Sequence, residues 1–479
     1  MNYRMVARIS ALALLIFAAL MLLPMVTALA LGESVRGFAA AMAVTAAAGL
    51  ALLGVKPRSR TIYAREGFAA VSMAWILMGL FGAIPFVVSG DILRYADAVF
   101  ETVSGLTTTG ASVVSDVDTL SRAGLFWRSF LEWLGGMGVL IFIMAVLPMG
   151  GEHSMHIMRA ELPGPTVGKF VPRAGDTARI LYIIYAALTV AETVLLMLGG
   201  MSFYEALLHA FATAGTGGFS TRNASIAAFD SAYIEMVISV FLLLFGVNFN
   251  LYYLAFAGRV RDALKSEELH CYLGILLVST VSITLGITKI YSGVREALRH
   301  AFTNSVSLMS TAAFATVDTM TWPSYTRVIL VLLMFIGGCA GSTSGGLKVS
   351  RVLLLFKTAG TDIARILHPR EVRRVEMDGK RVDAATTKAV YCYFWLYFVI
   401  LMLTTFIVSL DGHDFTTNIT AALSCISNIG PSLSLVSETQ SYLMFSPLSR
   451  AVMMVVMLLG RLEIYPLFIL LSPTMWKRE

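Results

Sequence analysis

The stretch HAFATAGTGGFSTRN, from His209 to Asn223, lies between two long apolar segments of the chain. It carries three glycines within four residues and no charged residue before Arg222. A buried loop of this kind offers its backbone N–H and C=O groups few side-chain partners, which is costly. The stretch therefore indicates that the backbone N–H and C=O groups of this loop themselves have a function.

The composition around this stretch is that of a membrane protein. The chain has 479 residues, of which 57% are hydrophobic and only 14% charged, and its mean hydropathy is +0.76. Soluble domains are about 25% charged. The four cysteines stand apart in or beside apolar runs without a C-x-x-C pair, which favours buried thiols over a disulfide or metal set.

Apolar segments of about twenty residues, the length that crosses a bilayer, divide the chain into about ten predicted spans. They cover residues 9–31, 36–54, 67–90, 124–148, 177–199, 231–257, 271–290, 324–356, 385–409 and 441–472. The first segment resembles a signal peptide but is too long for its apolar region, so we expect a span. Lys and Arg concentrate in alternate connecting segments, which places both termini in the cytoplasm.

Four shorter apolar stretches, around 95–109, 203–217, 295–312 and 414–429, do not fit the list of spans. Two of them share text, since residues 205–211 read EALLHAF and residues 296–302 read EALRHAF. We therefore predict an all-α polytopic protein with two lead-in spans and four repeats of span, short re-entrant helix, loop and span around a central ion pore. The predicted boundaries are 1–60 for the lead-in and 61–150, 151–262, 263–378 and 379–479 for the repeats.

A loop of similar composition follows each short helix. The four loops read TTTGA, GTGGFST, STAAFATVD and SNIGPS, beginning at Thr107, Gly215, Ser310 and Ser427. Irregular backbone is tolerated at membrane depth only inside protein or beside a watery cavity. Four such loops can surround one axis and replace the hydration shell of a cation with their carbonyl oxygens. For any single loop the alternative is a set of small residues that merely lets helices pack closely.

A phosphate-binding loop is a weaker interpretation. The segment GSTSGGLK, from Gly341 to Lys348, approaches the pattern, but Leu347 stands where the motif needs lysine and apolar spans flank it. Nucleotide binding by this chain is therefore not expected.

The ordered set of loops, together with GGCAGSTSGGLK and GRLEIYP, resembles the Trk/Ktr/HKT superfamily of cation transporters, specifically its TrkH-type subunits, over essentially the whole chain. The resemblance implies a potassium filter, with one glycine per loop. The filter residues it implies are Thr108, Thr109, Gly110, Gly217, Gly218, Ala312, Ala313, Asn428, Ile429 and Gly430. Ala313 departs from the glycine of the family, which puts strict potassium selectivity in question.

The eighth predicted span contains a glycine-rich run that no stable helix favours. The resemblance implies that this run is an intramembrane gate below the filter, with an intramembrane arginine projecting into the pore. The predicted gate residues are Gly337, Gly338, Gly341, Ser342, Gly345, Gly346 and Arg461. A mere kink is the alternative for the run, and a salt bridge with Glu463 is the alternative for the arginine.

The predicted function is uptake of potassium or another monovalent cation across a bacterial or archaeal cytoplasmic (inner) membrane. A weakly selective or sodium-permeable transporter is the alternative within the same fold, and a multi-span enzyme is a remote one. The expected partners, implied by the resemblance, are a cytosolic nucleotide-binding regulatory subunit (TrkA-like) and a second copy of the chain. Basic connecting segments could also contact lipid headgroups. We expect no organic cofactor and no nucleic acid.

Overall fold

The computed structural model describes residues 2–55, 63–138, 174–370, 373–431 and 441–473. Almost all regular structure in these ranges is helical, apart from one antiparallel hairpin of Glu376–Met377 and Lys380–Arg381. The α-helices are α1 Tyr3–Leu20, α2 Leu22–Ala30, α3 Arg36–Leu53, α4 Ala64–Phe81, α5 Ile84–Ser89, α6 Tyr95–Leu106, α7 Arg122–Gly136, α8 Ala174–Leu198, α9 Phe203–Gly215, α10 Ala232–Phe245, α11 Phe249–Phe256, α12 Val260–Leu264, α13 Glu267–Ile287, α14 Val294–Met309, α15 Ser324–Ile336, α16 Val349–Leu367, α17 Ala384–Ser409, α18 Phe415–Ser427, α19 Pro447–Arg461 and α20 Tyr465–Leu471.

Six helical segments of the described residues are long and apolar enough to cross a membrane, or up to eight if each bent pair is one span. The bent pairs correct two predicted spans that were expected to be continuous. Helices α10 and α11 meet at 86°, and α19 and α20 meet at 119°. The predicted span 124–148 lies partly outside the described residues. The chain is thus a multi-pass helical protein whose hydropathy pattern located the apolar segments but not their bends.

The predicted break in the segment 324–356 is present. Helix α15 ends at Ile336, α16 begins at Val349, and the residues between them form no helix. Gly337, Gly341 and Gly346 all have φ between 73° and 78°, a region that L side chains avoid. The density of glycine in this run therefore has a local conformational cause.

The apolar core has two parts. One mainly joins the N-terminal helices α1–α7 to the C-terminal helices α17–α20, and the other mainly joins α8–α10 to α13–α16. The indole N–H of Trp127 in α7 donates to the carbonyl of Gly82 at 3.0 Å, and its ring packs on Phe17 of α1. The N-terminal helix α1 thus packs against α7 of the first predicted repeat.

The expectation of four buried thiols is wrong for two cysteines. Cys339 and Cys425 are buried, but Cys271 is half-buried and Cys392 is exposed. Cys392 lies on the long apolar helix α17, where a residue facing outward meets lipid instead of protein, so its hydrophobic setting does not require burial within the chain.

Candidate cation site

The four short helices α6, α9, α14 and α18 end in the same way. In each, the N–H of the residue before the predicted filter position donates to the carbonyl five residues earlier, as in a Schellman cap. The four bonds are Thr109 N to Ser104 O, Gly217 N to Ala212 O, Ala312 N to Ser307 O and Ile429 N to Ser424 O, at 2.8 to 3.0 Å. The identical caps place the four loops in one register, although their sequences share little.

The backbone of each loop also turns left-handed at the same two positions. The predicted filter residues Gly110, Gly218, Ala313 and Gly430 have φ values of 75°, 87°, 46° and 94°. The residues two positions earlier are Thr108, Thr216, Thr311 and Asn428, with φ between 53° and 65°. A left-handed residue other than glycine costs about 1–2 kcal/mol. Strain of this kind that recurs at equivalent sites points to function.

Ala313, which stands where the other three loops have glycine, is left-handed like those glycines. Its φ is nevertheless 29° smaller than that of Gly110 and 48° smaller than that of Gly430. The capping bond at Ala312 and the packed surroundings hold the loop in register, while the methyl group keeps its dihedral in the narrower region allowed to alanine.

The four loops converge. A Cβ added to Gly110 would lie 1.9 Å from the carbonyl oxygen of Gly217, and one added to Gly218 would lie 1.7 Å from that of Ala312. A Cβ on Gly430 would lie 2.3 Å from the carbonyl oxygen of Thr109. The first loop thus abuts the second and fourth, and the second abuts the third. Glycine is required here for close approach as well as for dihedral freedom.

The shared text of the second and third stretches is not equivalent in space. His209 lies nine positions before Gly218, whereas His300 lies thirteen before Ala313. Asn304 occupies the position that corresponds to His209. His209 Nε2 contacts Ser220 Oγ at 3.0 Å, and Asn304 Nδ2 donates to Thr316 Oγ1 at 3.1 Å. The matching heptads are therefore offset by about one helical turn, and α14 is the longer helix.

The segment between α15 and α16, residues 337–348, contains the glycine-rich run predicted to lie within the membrane and is called the intramembrane segment below. It lies directly against the third and fourth loops, since the N–H of Gly345 donates to Thr311 Oγ1 at 2.7 Å and that of Gly346 to Ser427 O at 3.0 Å. On another side, Cys339 N donates to the carbonyl of Gly246, which the bend after α10 leaves free. The predicted gate glycines are thus brought to the predicted filter.

The intramembrane segment is tied to two charged groups. Glu268 at the start of α13 accepts from the N–H of Ala340 at 2.6 Å and of Ser350 at 3.1 Å, so one carboxylate binds both the segment and the first turn of α16. Arg461 Nη1 donates to the carbonyl of Thr343 at 2.7 Å. Arg461 Nη2 donates to the carbonyls of Gly135 and Gly136 at the end of α7, so this arginine spans two elements.

The alternative partner of Arg461 is engaged elsewhere. Glu463 pairs with Arg351 of α16, whose guanidinium also lies 4.0 Å from the ring centroid of Tyr393. Glu463 lies two residues beyond the end of α19 and has a left-handed backbone, with a φ of 57°.

Comparison with known proteins agrees with this architecture. The family described as "TrkH: Cation transport protein" matches residues 33–268 and 276–478. The chain is 36% identical over 484 residues to the Trk system potassium uptake protein TrkH of Salmonella typhimurium and 36% identical over 487 residues to that of Halomonas elongata, in each case over the full length of both chains. The crystal structure of the potassium transporter TrkH from Vibrio parahaemolyticus superposes with a TM-score of 0.89, at 33% identity and full coverage of both chains.

The chain belongs to the TrkH family of cation transport proteins. Its relatives are transporters and not enzymes, so the multi-span enzyme is set aside. The sequence resemblance to this family is confirmed.

Sequence reasoning missed several residues behind the loops of this TrkH-family protein. Thr216 and Thr311 share the left-handed conformation of the predicted filter residues, and nothing in a threonine signals it. Glu101, Arg128 and Glu132 are all at most 2% exposed beside the first two loops. Charged residues within apolar stretches were the available signal for these three.

Another polar feature of this family member is the cap of α18. Asp414 accepts hydrogen bonds from the side chain and the N–H of Thr417. These bonds lower the pKa of Asp414 below its ordinary value. The carboxylate cap is therefore fully formed above the ordinary aspartate pKa and is lost as the pH falls through the lowered one.

Proposed function

We propose that this TrkH-family protein takes up potassium across the cytoplasmic membrane through a filter built from its four converging loops. The observation that carries the proposal is the fourfold repetition of one backbone conformation, a Schellman cap followed by a left-handed residue, at loops that contact one another. The named potassium uptake proteins to which the chain is similar support the choice of ion.

The chemistry of the loops favours a dehydrated cation. The proposed filter residues are Thr108, Thr109, Gly110, Gly217, Gly218, Ala312, Ala313, Asn428, Ile429 and Gly430, none of which is charged. Backbone carbonyls are then the main ligands, as in other potassium filters. The C-terminal ends of the four short helices lead into the loops, and their partial negative charge also favours a cation.

A weakly selective, sodium-permeable transporter is the second candidate. It is favoured by the φ of Ala313, which is at least 29° smaller than that of the glycine at the equivalent position in each of the other three loops. One displaced carbonyl would weaken the discrimination between potassium and the more strongly hydrated sodium.

Gating belongs to the same proposal. The intramembrane segment contacts Thr311 and Ser427 directly, and Arg461 holds its Thr343 carbonyl. A segment of small residues fastened by a few hydrogen bonds can move without repacking large side chains. We propose that Gly337, Gly338, Gly341, Ser342, Gly345 and Gly346, with Arg461, form the gate.

The proposal extends to topology and partners. Both termini lie in the cytoplasm, where the basic segment 357–388 can meet lipid headgroups or an acidic partner surface. The basic segment 152–179 lies mostly outside the described residues. A cytosolic nucleotide-binding regulatory subunit and a second copy of the chain are the proposed partners.

The test is potassium uptake by cells that lack their own uptake systems, together with flux into proteoliposomes. Gly218→Ala is expected to abolish uptake, because its Cβ would lie 1.7 Å from the carbonyl oxygen of Ala312. Gly274→Ala is the matched control, since nothing lies within 4 Å of its added Cβ. Absence of potassium flux with the unaltered protein, or equal flux in both variants at equal folded amounts, would refute the proposed pathway.

A further inference from the structure

A buried ionic cluster lies behind the first two loops. Helix α7 packs against α6 and α9 and presents Arg128 and Glu132, four residues apart, on one face. Arg128 is 2% exposed, and Glu101 of α6 and Glu132 are fully buried. Charged groups taken out of water are costly unless they are paired and hydrogen-bonded.

Arg128 is linked to the residues that follow the first loop by one direct polar contact and by one through Glu101 of α6. Its Nε donates to Glu101 Oε1 at 2.7 Å, and its Nη2 donates to Ser112 Oγ at 3.2 Å. Glu101 in turn accepts from the N–H of Val113 at 2.9 Å. Ser112 and Val113 follow Gly110 by two and three positions, so the guanidinium is one contact away from the backbone that continues the filter loop.

The same helix holds the second loop. The guanidinium carbon of Arg128 lies 4.1 Å from the ring centroid of Phe219, the residue directly after Gly218. Both oxygens of Glu132 lie 3.2 Å from the N–H of Phe219. The guanidinium thus lies over the Phe219 ring of the second loop while its Nη2 contacts Ser112, just after the first loop.

The contacts that correspond in the next two repeats are uncharged. His209 pairs with Ser220 in the positions where Glu101 binds Ser112, and Asn304 pairs with Thr316, which lies one position further along its loop. A buried ion pair is weak evidence for stability, since apolar residues of similar volume often stabilise a fold as well or better. An arginine at this place is better explained by its planar, forked geometry, which serves two loops at once.

We propose that Arg128 is a positioning residue for ion selectivity, which fixes the first filter loop relative to the second through Glu101, Ser112 and Phe219. The inference rests on the proposed filter. The loops meet at carbonyl-to-glycine contacts too close for a Cβ, so a small shift of one loop changes the cage that an ion enters.

The experiment measures the ratio of potassium to sodium uptake and the apparent KM for each ion in proteoliposomes, normalised to folded protein. Arg128→Lys keeps the positive charge and can still pair with Glu101, but it loses the planar, forked guanidinium group. We expect its potassium preference to fall about threefold or more. Phe219→Leu removes only the stacking surface and is expected to lower the ratio in the same direction; it carries the test if Arg128→Lys folds poorly.

Arg222→Lys is the matched control. Arg222 and Arg128 both line a cavity that touches all four loops. Arg222 pairs with Glu205 of α9 at 2.7 Å, but its side chain is 52% exposed. Its replacement should leave the ratio unchanged. If the unaltered protein prefers potassium and both Arg128→Lys and Phe219→Leu keep the same ratio of potassium to sodium uptake, the proposed role of Arg128 is refuted while the proposed function stands. A parent without potassium-dependent flux would overturn the proposed function instead.

Discussion

Replacement of Ala313 by glycine tests the geometry of the third loop. Ala313 holds φ at 46°, whereas the three glycines at equivalent positions lie between 75° and 94°. Removing the methyl group opens the wider region that glycine occupies. We therefore expect Ala313→Gly to make the backbone conformation of the third loop more like that of the other three. The preference for potassium over sodium should be modest in the unaltered protein and stronger in this variant.

The expected change in selectivity is limited because Ala313→Gly alters only one of the four loops. A change of about 1.4 kcal/mol in the difference between the binding free energies of potassium and sodium would change their relative affinity tenfold. Since Ala313 is already left-handed, only part of that difference is restored, and the ratio of potassium to sodium uptake should rise about threefold, which is less than tenfold. Relief of about 1–2 kcal/mol of left-handed strain is offset by the greater flexibility of unfolded glycine, about 0.5–1 kcal/mol. The free energy of unfolding should thus change by about 1 kcal/mol or less.

The assay is competitive uptake of the two ions into proteoliposomes at matched folded amounts. Ala315→Gly is the control, because Ala315 lies in the same loop, is 3% exposed, and does not have a positive φ. Equal and strong potassium selectivity in the unaltered and Ala313→Gly proteins would refute the reasoning. So would an equal gain in the control, which would show that glycine acts by loosening the loop.

Two further predictions concern the gate. Shortening the intramembrane segment between Gly337 and Gly346 should raise flux in the absence of a regulatory subunit, because that segment lies against the third and fourth loops; unchanged or lower flux in a folded variant would contradict a gate. Arg461→Ala should change flux per folded molecule more than stability, because it frees the Thr343 carbonyl of the segment. A folding defect of about 3–5 kcal/mol, measured by thermal unfolding, with normal flux per folded molecule would show that the arginine is structural.

Several features followed from the sequence because their causes are local. Hydropathy over about twenty residues marks an apolar span whatever its neighbours are. The glycines at 110, 218 and 430 stand where the backbone is left-handed, and the helix break at Gly337 follows from glycine density. The order of the four loop motifs was also enough to indicate the family.

Other features depended on the packing of distant segments. The sequence alone aligned the two EAL-x-HAF heptads, but the Schellman caps show that His300 lies one turn out of register with His209. Hydropathy joined the two arms of each bent pair into one predicted span, because both arms are apolar, and so did not predict the bends of 86° and 119°.

The partners of charged residues were decided only by the tertiary structure. Arg128 reaches Glu101 across 27 positions and Phe219 across 91, and Arg461 reaches the carbonyl of Thr343 across 118. A charged residue within an apolar segment indicates from the sequence alone that the side chain needs a polar or charged partner. Which partner it finds is set by the helices that pack beside it, and this information is not contained in the spacing along the chain.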